Sequence, residues 1–287
     1  MSDNFWDKQA LVATYSNLNS DLFRPNTNKI LELADKLIHP KSGVRILDLA
    51  SGTGNPAIGL AIAFPDSKIH ASDLAPAMLQ KLQSTAKELN LANLTSQVAD
   101  AQDLSFASDC SYDAVTFSLG VHFLPDKAKC LAECFRVLKP GGVLIASAVG
   151  PIDKTDGVRI TKAVHDRLTP TAPWLDVNAL GQEGAFVNLV THAGFENPHL
   201  CKVNIPITGS MDQMKQMSLR GLLSNALAAE QQRRQKEGAA KSSDSVFQEA
   251  ESLIEELSEA HGMVRQDGSV HLANNEAVVL DAINPKA

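Results

Sequence analysis

Residues Ile46 to Gly54, ILDLASGTG, join an apolar run to an acid and to two glycines spaced one apart. Such a run reads as a buried strand handing over to a tight bend, where only glycine combines positive φ with close approach of backbone to a ligand. Peptide N–H groups left bare at the start of the following helix can then meet a polar ligand, and Asn55 and Pro56 read as its N-cap and first residue. Acids fall at successive predicted strand ends: Asp48 near the end of the first, Asp73 at the end of the second, Asp100 at the end of the third. Each alone is an ordinary turn former or cap. Together with the glycine bend they suit a nucleoside carrying a cationic tail, because open parallel sheets bind small molecules at the carboxyl ends of their strands. Asp73, nineteen residues beyond Gly54, is placed to accept two hydrogen bonds from a ribose diol. Asp100 can accept from an adenine amine while the Ala101 N–H serves a ring nitrogen, and Leu74 and Met78 offer the base apolar surface. Ser118, ending the fourth predicted strand, completes this set of candidate contacts.

The elements that must position these residues alternate. Asn4 to Ile38 reads as helices, with Ile30, Leu33, Ala34 and Leu37 on one stripe. Strands are predicted at Val44–Ala50, Lys68–Asp73, Thr95–Asp100, Asp113–Ser118 and Val143–Val149, with helices from Pro56, Pro76 and Asp126. The last helix shows Leu131, Cys134, Phe135 and Leu138 at i, i+3, i+4, i+7 and is stopped by Pro140-Gly141-Gly142. Alternation with buried strands means a parallel, doubly wound α/β sheet covered on both faces. Beyond Gly150 the pattern breaks: Pro151–Asp176 is rich in Pro and Thr, Phe186–Gly194 reads as a helix, His199–Ile207 as a strand, Met211–His261 as mostly helix, and Ala277–Ile283 as a closing strand. The expected organisation is an N-terminal helical segment over residues 1–40, a Rossmann-like core over 41–150, and cap insertions with two further strands over 151–287.

Composition narrows the function. The 287 residues carry a net charge of −7, which argues against a nucleic-acid groove lined with Lys and Arg. The one basic cluster, Arg233-Arg234-Gln235-Lys236, reads as a solvated helix face. Cys110, Cys130, Cys134 and Cys201 lack metal-site spacing, so no metal is expected and buried thiols are the default. Neither a secretory leader nor a run of membrane-spanning length is read, and a cytoplasmic location is the expectation. Gly52, Gly54 and Ala57 also satisfy G-x-G-x-x-A, so an NAD(P)-dependent oxidoreductase is a rival reading. That rival calls for a second mononucleotide-binding half and a separate catalytic domain, which the pattern does not offer.

Four stretches carry a resemblance: ILDLASGTG, HASDLAPAML from His70, VADAQDLSF from Val98, and YDAVTFSLGVHFLPD running to Asp126 and followed by FRVLKPGG. In order and spacing they resemble the class I S-adenosylmethionine-dependent methyltransferases, in the branch similar to the ubiquinone and menaquinone enzymes, strongly over about Val44 to Val149. The resemblance implies a seven-stranded sheet with the last strand antiparallel, S-adenosylmethionine across the first four strand ends, and a helical cap over the acceptor. Carried over, Gly52 and Gly54 pass the methionine part, Asp73 holds the ribose, Asp100 with Ala101 holds the adenine, and Asp48 orients the loop and the ammonium. Ala50 departs from the family, which often has glycine there.

A sulfonium is an activated methyl donor, so the protein's task is in-line alignment and exclusion of water. For a hydroxyl or ammonium acceptor a base is needed, and His122, just past the fourth strand, is the best-placed candidate; a loop histidine packed under the cap is the alternative. Tyr15 and Trp6 are candidates for the methionine end or the acceptor, and Trp174 for core packing or for clamping a cation. Arg24, Arg159, Arg167 and Arg220 are scattered and make no site. The expected acceptor is a small soluble metabolite, such as a thioether acid, an amine or a hydroxylated compound, rather than nucleic acid or a membrane lipid. A non-catalytic protein that binds S-adenosylmethionine is the remaining alternative.

Overall fold

The computed structural model describes residues 23–38, 43–236 and 245–285. Its elements are α1 (Arg24–Ile38), β1 (Arg45–Leu49), α2 (Ala57–Ala63), β2 (Lys68–Asp73), α3 (Pro76–Glu88), β3 (Leu94–Val98), β4 (Tyr112–Phe117), α4 (Lys127–Val137), β5 (Leu138–Val149), α5 (Asp156–Leu168), α6 (Ala185–His192), β6 (Glu196–Asn204), β7 (Ile207–Gly209), α7 (Met211–Arg220), α8 (Ser224–Lys236), α9 (Val246–Ala260), β8 (Val270–Leu272) and β9 (Glu276–Ile283). These fall into two compact units: one runs to Gly150 and adds Val177–Asn204 and the chain from Glu276, and the other combines Pro151–Asp176 with Ile205–Asn275.

The first unit is built on a seven-stranded sheet in the order β3-β2-β1-β4-β5-β9-β6. Strands β1 to β5 pair in parallel, and β9 runs antiparallel to both β5 and β6. Alternation along β1 explains the two covered faces. Ile46 belongs to a layer with Ile30, Leu60, Leu79 and Leu82 from α1, α2 and α3, whereas Leu47 and Leu49 belong to one with Leu131, Cys134, Phe186 and Val190 from α4 and α6. The carboxyl ends of β1 to β4 therefore share one edge of the sheet, which is what brings the candidate residues together.

Several boundaries differ from the sequence reading for local reasons. Strand β3 ends at Val98, so Asp100 lies two residues beyond it in a turn. Asn55 does not cap α2: Pro56 occupies the N-cap without a side-chain bond, and Asn55 Oδ1 instead meets the Thr27 hydroxyl. Lys139–Gly142 does not end the strand but bulges from it, since Leu138 pairs with Tyr112 and Val143 with Ala114, and the Gly141 N–H donates to the Asn284 carbonyl. Helix α4 begins one residue past the predicted Asp126, which is its N-cap, the carboxylate accepting from the Lys129 N–H at 2.9 Å. The stretch before residue 23, with Trp6 and Tyr15, lies outside the described residues.

The second unit packs α5, α7, α8 and α9 with the short antiparallel β7–β8 pair around Ile160, Val164, Leu223, Leu227 and Ile254. Helix α5 was hidden by the Thr and Pro content of its surroundings. Trp174 packs against this core and lies under the Lys162 ammonium, 5.7 Å from the ring centroid. In the basic cluster, Arg233 and Arg234 both pair with Glu230, and Arg234 also reaches Glu249 at 2.7 Å. Among the described residues no helix is long and apolar enough to cross a membrane.

Candidate active site

Past β1 the chain folds back on itself. The Ser51 hydroxyl donates to the Asp48 carbonyl at 2.9 Å, the Ser51 N–H donates to the Ser72 carbonyl at 2.9 Å, and the Gly54 N–H donates to the Ser51 carbonyl at 2.8 Å. Gly52 and Gly54 have φ of +53° and +117°, values that L side chains rarely adopt. Beyond its chain neighbours, no atom of the described residues lies within 4 Å of where a Cβ on Gly52 would stand, whereas a Cβ on Gly54 would meet the Ile58 side chain at 2.4 Å.

Asp73 ties this bend to the neighbouring strand. One carboxylate oxygen accepts from the Gly52 N–H and the other from the Ala75 N–H, each at 2.8 Å. Beside Asp73, Leu74 is 53% exposed, whereas Met78 is buried, so of the two apolar candidates only Leu74 presents a wide surface.

Asp48 behaves differently from the other acids. It is wholly buried, one oxygen accepts from the Thr116 hydroxyl at 2.5 Å, and the other meets no hydrogen-bond partner among the described residues. Burial pushes its carboxyl up to about 7 against the Thr116 bond, and the charge of Asp73 adds to the rise. Its side chain supports the loop from beneath rather than lining the edge.

At the end of β3 the Asp100 carboxylate accepts from the Gln102 N–H at 2.8 Å and from the Gln102 amide at 3.0 Å, and Gln102 Oε1 accepts from the Asp126 N–H at 2.8 Å. Gln102 therefore links Asp100 to the start of α4. The Ala101 N–H donates to no acceptor among the described residues. At the end of β4, the half-buried Ser118 accepts from the buried Asn26 amide at 3.0 Å. His122 sits in a 3-10 turn, 3% exposed and 4.3 Å from the Phe123 ring, with Nδ1 buried and unpartnered. Burial holds the imidazole down to about 3, with Lys127 adding to the effect, so it is neutral at ordinary pH.

The edge thus joins Gly52 to Asp73 and collects Asp48, Asp100, Ala101 and Ser118 on neighbouring strand ends; Tyr15 lies outside the described residues. Sequence reasoning missed Asn26, Gln102 and Thr116. A signal existed for one of them: Thr116 and Ser118 stand two apart in an otherwise buried strand, which places both on one face.

A family model described as a methyltransferase domain matches residues 46–142. The chain is 30% identical over 155 residues to an aklanonic acid methyltransferase of Streptomyces sp. (strain C5), covering 50% of this chain and 66% of that one. It is 36% identical over 132 residues to a demethylmenaquinone methyltransferase of Thermus thermophilus, covering 45% and 58%. Other curated relatives are matched over only 36% of their length. In fold it is similar to a Haemonchus contortus phosphoethanolamine N-methyltransferase solved with S-adenosylhomocysteine, with a TM-score of 0.60, 19% identity, and coverage of 98% of this chain and 59% of that one. Residues 46–142 thus match a methyltransferase domain, and the named curated relatives that share this stretch are methyltransferases.

Proposed function

We propose that the protein transfers the methyl group of S-adenosylmethionine to a small soluble metabolite with an oxygen, nitrogen or sulfur acceptor, such as a thioether acid. The observation that carries this reading is the Asp73 carboxylate, held at the mouth by the N–H groups of Gly52 and Ala75. In it Asp73 holds the ribose, Asp100 and Ala101 the adenine with Leu74 and Met78 against the base, and Gly52, Gly54, Ser118 and Tyr15 the methionine end, with Asp48 beneath the loop. When bound, the cofactor supplies a methyl carbon on a cationic sulfur, a leaving group that departs with the bonding pair as a neutral thioether. The residues then need only align the acceptor in line and keep water out.

His122 is the base in this reading. Being neutral, it is ready to take a proton, and its low basicity suits an acceptor proton that is already acidic or that leaves as the new bond forms. A thioether acceptor needs no base. The four unpaired cysteines favour a reducing compartment such as the cytoplasm.

Calorimetry with S-adenosylhomocysteine and with a nicotinamide dinucleotide, followed by a labelled-methyl screen over metabolite pools, tests the proposal. Binding of the first ligand and label transfer are expected. Undetectable binding at millimolar concentration sinks it, and binding without any transfer points to a non-catalytic role. With an oxygen acceptor, His122→Ala should lower kcat by about 10²–10⁴-fold, and the wild-type rate should be flat in pH above about 4. Unchanged turnover and an unchanged pH profile in the variant remove His122 from the chemistry.

A further inference from the structure

Among the described residues five non-glycines have left-handed φ: Ala50, Asn90, Cys110, Leu119 and Asn197. Asparagine tolerates this region; alanine and leucine do so under strain, and only where their surroundings over-determine it. Ala50 and Leu119, at +48° and +51°, lie just past the ends of β1 and β4, which are neighbours in the sheet.

Both are fixed by packing or hydrogen bonds. A Cβ on Gly120 would stand 2.9 Å from the Ala50 methyl and 2.4 Å from the Phe117 ring, so the bare α-carbon at 120 makes room for the side chain at 50. The Leu119 N–H donates to both the carbonyl and the hydroxyl oxygen of Ser147, each at 3.1 Å, a three-centre bond from β4 to β5. The residue before it, Ser118, is held by the Asn26 amide at 3.0 Å. Ser147 and Asn26 are wholly buried, while Ser118, Leu119 and Gly120 are half-buried at the edge. The two buried residues therefore act on a ligand only through the turn that they hold.

We propose that Ser147, assisted by Asn26, is a positioning residue for the amino-acid arm of the methyl donor, fixing the turn Ser118–Gly120 before the donor arrives. The proposal rests on the methyl-transfer reading. With the adenine at the β3 end and the ribose at the β2 end, the order β3-β2-β1-β4 sends the arm past the glycine bend toward this turn.

The test titrates the full-length protein with S-adenosylhomocysteine and with adenosine, which lacks the arm. Ser147→Ala should weaken the first about 5–10-fold, the worth of one hydrogen bond in a preformed edge, and leave adenosine within about twofold. Adding Leu119→Gly should restore affinity, because glycine takes the left-handed conformation without a clamp. Equal losses for both ligands, or a lowered Tm with no loss for S-adenosylhomocysteine, overturn the proposal. If Ser147→Ala alone folds poorly, Leu119→Gly with and without it decides: the two must bind alike, and a persistent difference rejects the clamp. Failure of the wild-type protein to bind S-adenosylhomocysteine falls on the methyl-transfer reading itself.

Discussion

In the sheet unit the polar side chains at 0% exposure, Asn26, Asp48, Thr116 and Ser147, all stand at or beneath the ends of β1, β4 and β5. In the helical unit the buried polar side chains are spread over several elements. Asp156 is held by Arg159 and by the Asn274 N–H, Thr161 by Ser218, and the Thr169 hydroxyl by the His165 carbonyl one turn back. The cause is geometric. Parallel strands end at a common level, so polar residues at their ends converge, whereas a helix distributes its side chains around and along its axis. Buried polarity therefore converges on one edge in the first unit and is dispersed over several elements in the second.

The sharpest way to break this contrast is to remove an acid from each unit. Asp73→Ala deletes the acceptor of two loop N–H groups together with the proposed ribose contact, and hydrogen bonds to a charged group are worth roughly 1.5–3 kcal/mol each. Affinity for S-adenosylhomocysteine should fall by about 10²–10³-fold in calorimetry. Asp166→Ala, which removes an exposed ion pair with Lys162 on α5, should leave that affinity unchanged. Comparable losses from the two variants would end the contrast.

What the sequence made legible follows the same division. The glycine bend and Asp73 could be read because their requirement is local: positive φ, a bare backbone, and an acid a fixed distance on. The support under the bend could not, because Thr116 reaches Asp48 only through the register that pairs those two residues, and Asn26 reaches Ser118 only through the packing of α1 on the sheet. Asp100 was legible as a residue but not as a strand end, since Gln102 draws its carboxylate into a turn. In the helical unit, Arg233 and Arg234 read as a solvated face because Glu230 and Glu249 are joined to them by helix geometry and packing.

A second effect, smaller than the loss of Asp73, comes from the buried acid. The folded carboxyl of Asp48 titrates at about 7 against 3.8 for the free group, so the folded state holds the proton more tightly than the unfolded chain. Its stabilisation is complete below about pH 4 and drains as pH rises to about 7, a loss of about 2–3 kcal/mol between pH 5 and pH 8 by linkage. Asp48→Asn removes the titration, so urea unfolding should show the variant gaining on the wild type across that window. A difference that does not vary with pH would mean that Asp48 is ionised in both states.

The smallest expected effect lies in the helical unit and has a built-in asymmetry. The Thr161 hydroxyl has a single proton, which it donates to the Gly157 carbonyl at 2.8 Å, so at the 2.9 Å contact with Ser218 it is the serine that donates. Thr161→Val leaves the buried Ser218 O–H without that acceptor and should cost about 1–3 kcal/mol, whereas Ser218→Ala leaves only a spare lone pair on a threonine whose proton is still used and should cost about 0.5–1.5 kcal/mol. With both replaced no orphan donor is left, so the double variant should be more stable than Thr161→Val alone. Chemical unfolding of the three variants measures this directly. Equal and additive costs would show that the pair is not a hydrogen bond of this polarity. Unchanged affinity for S-adenosylhomocysteine in all three would show that this buried polar pair serves packing alone.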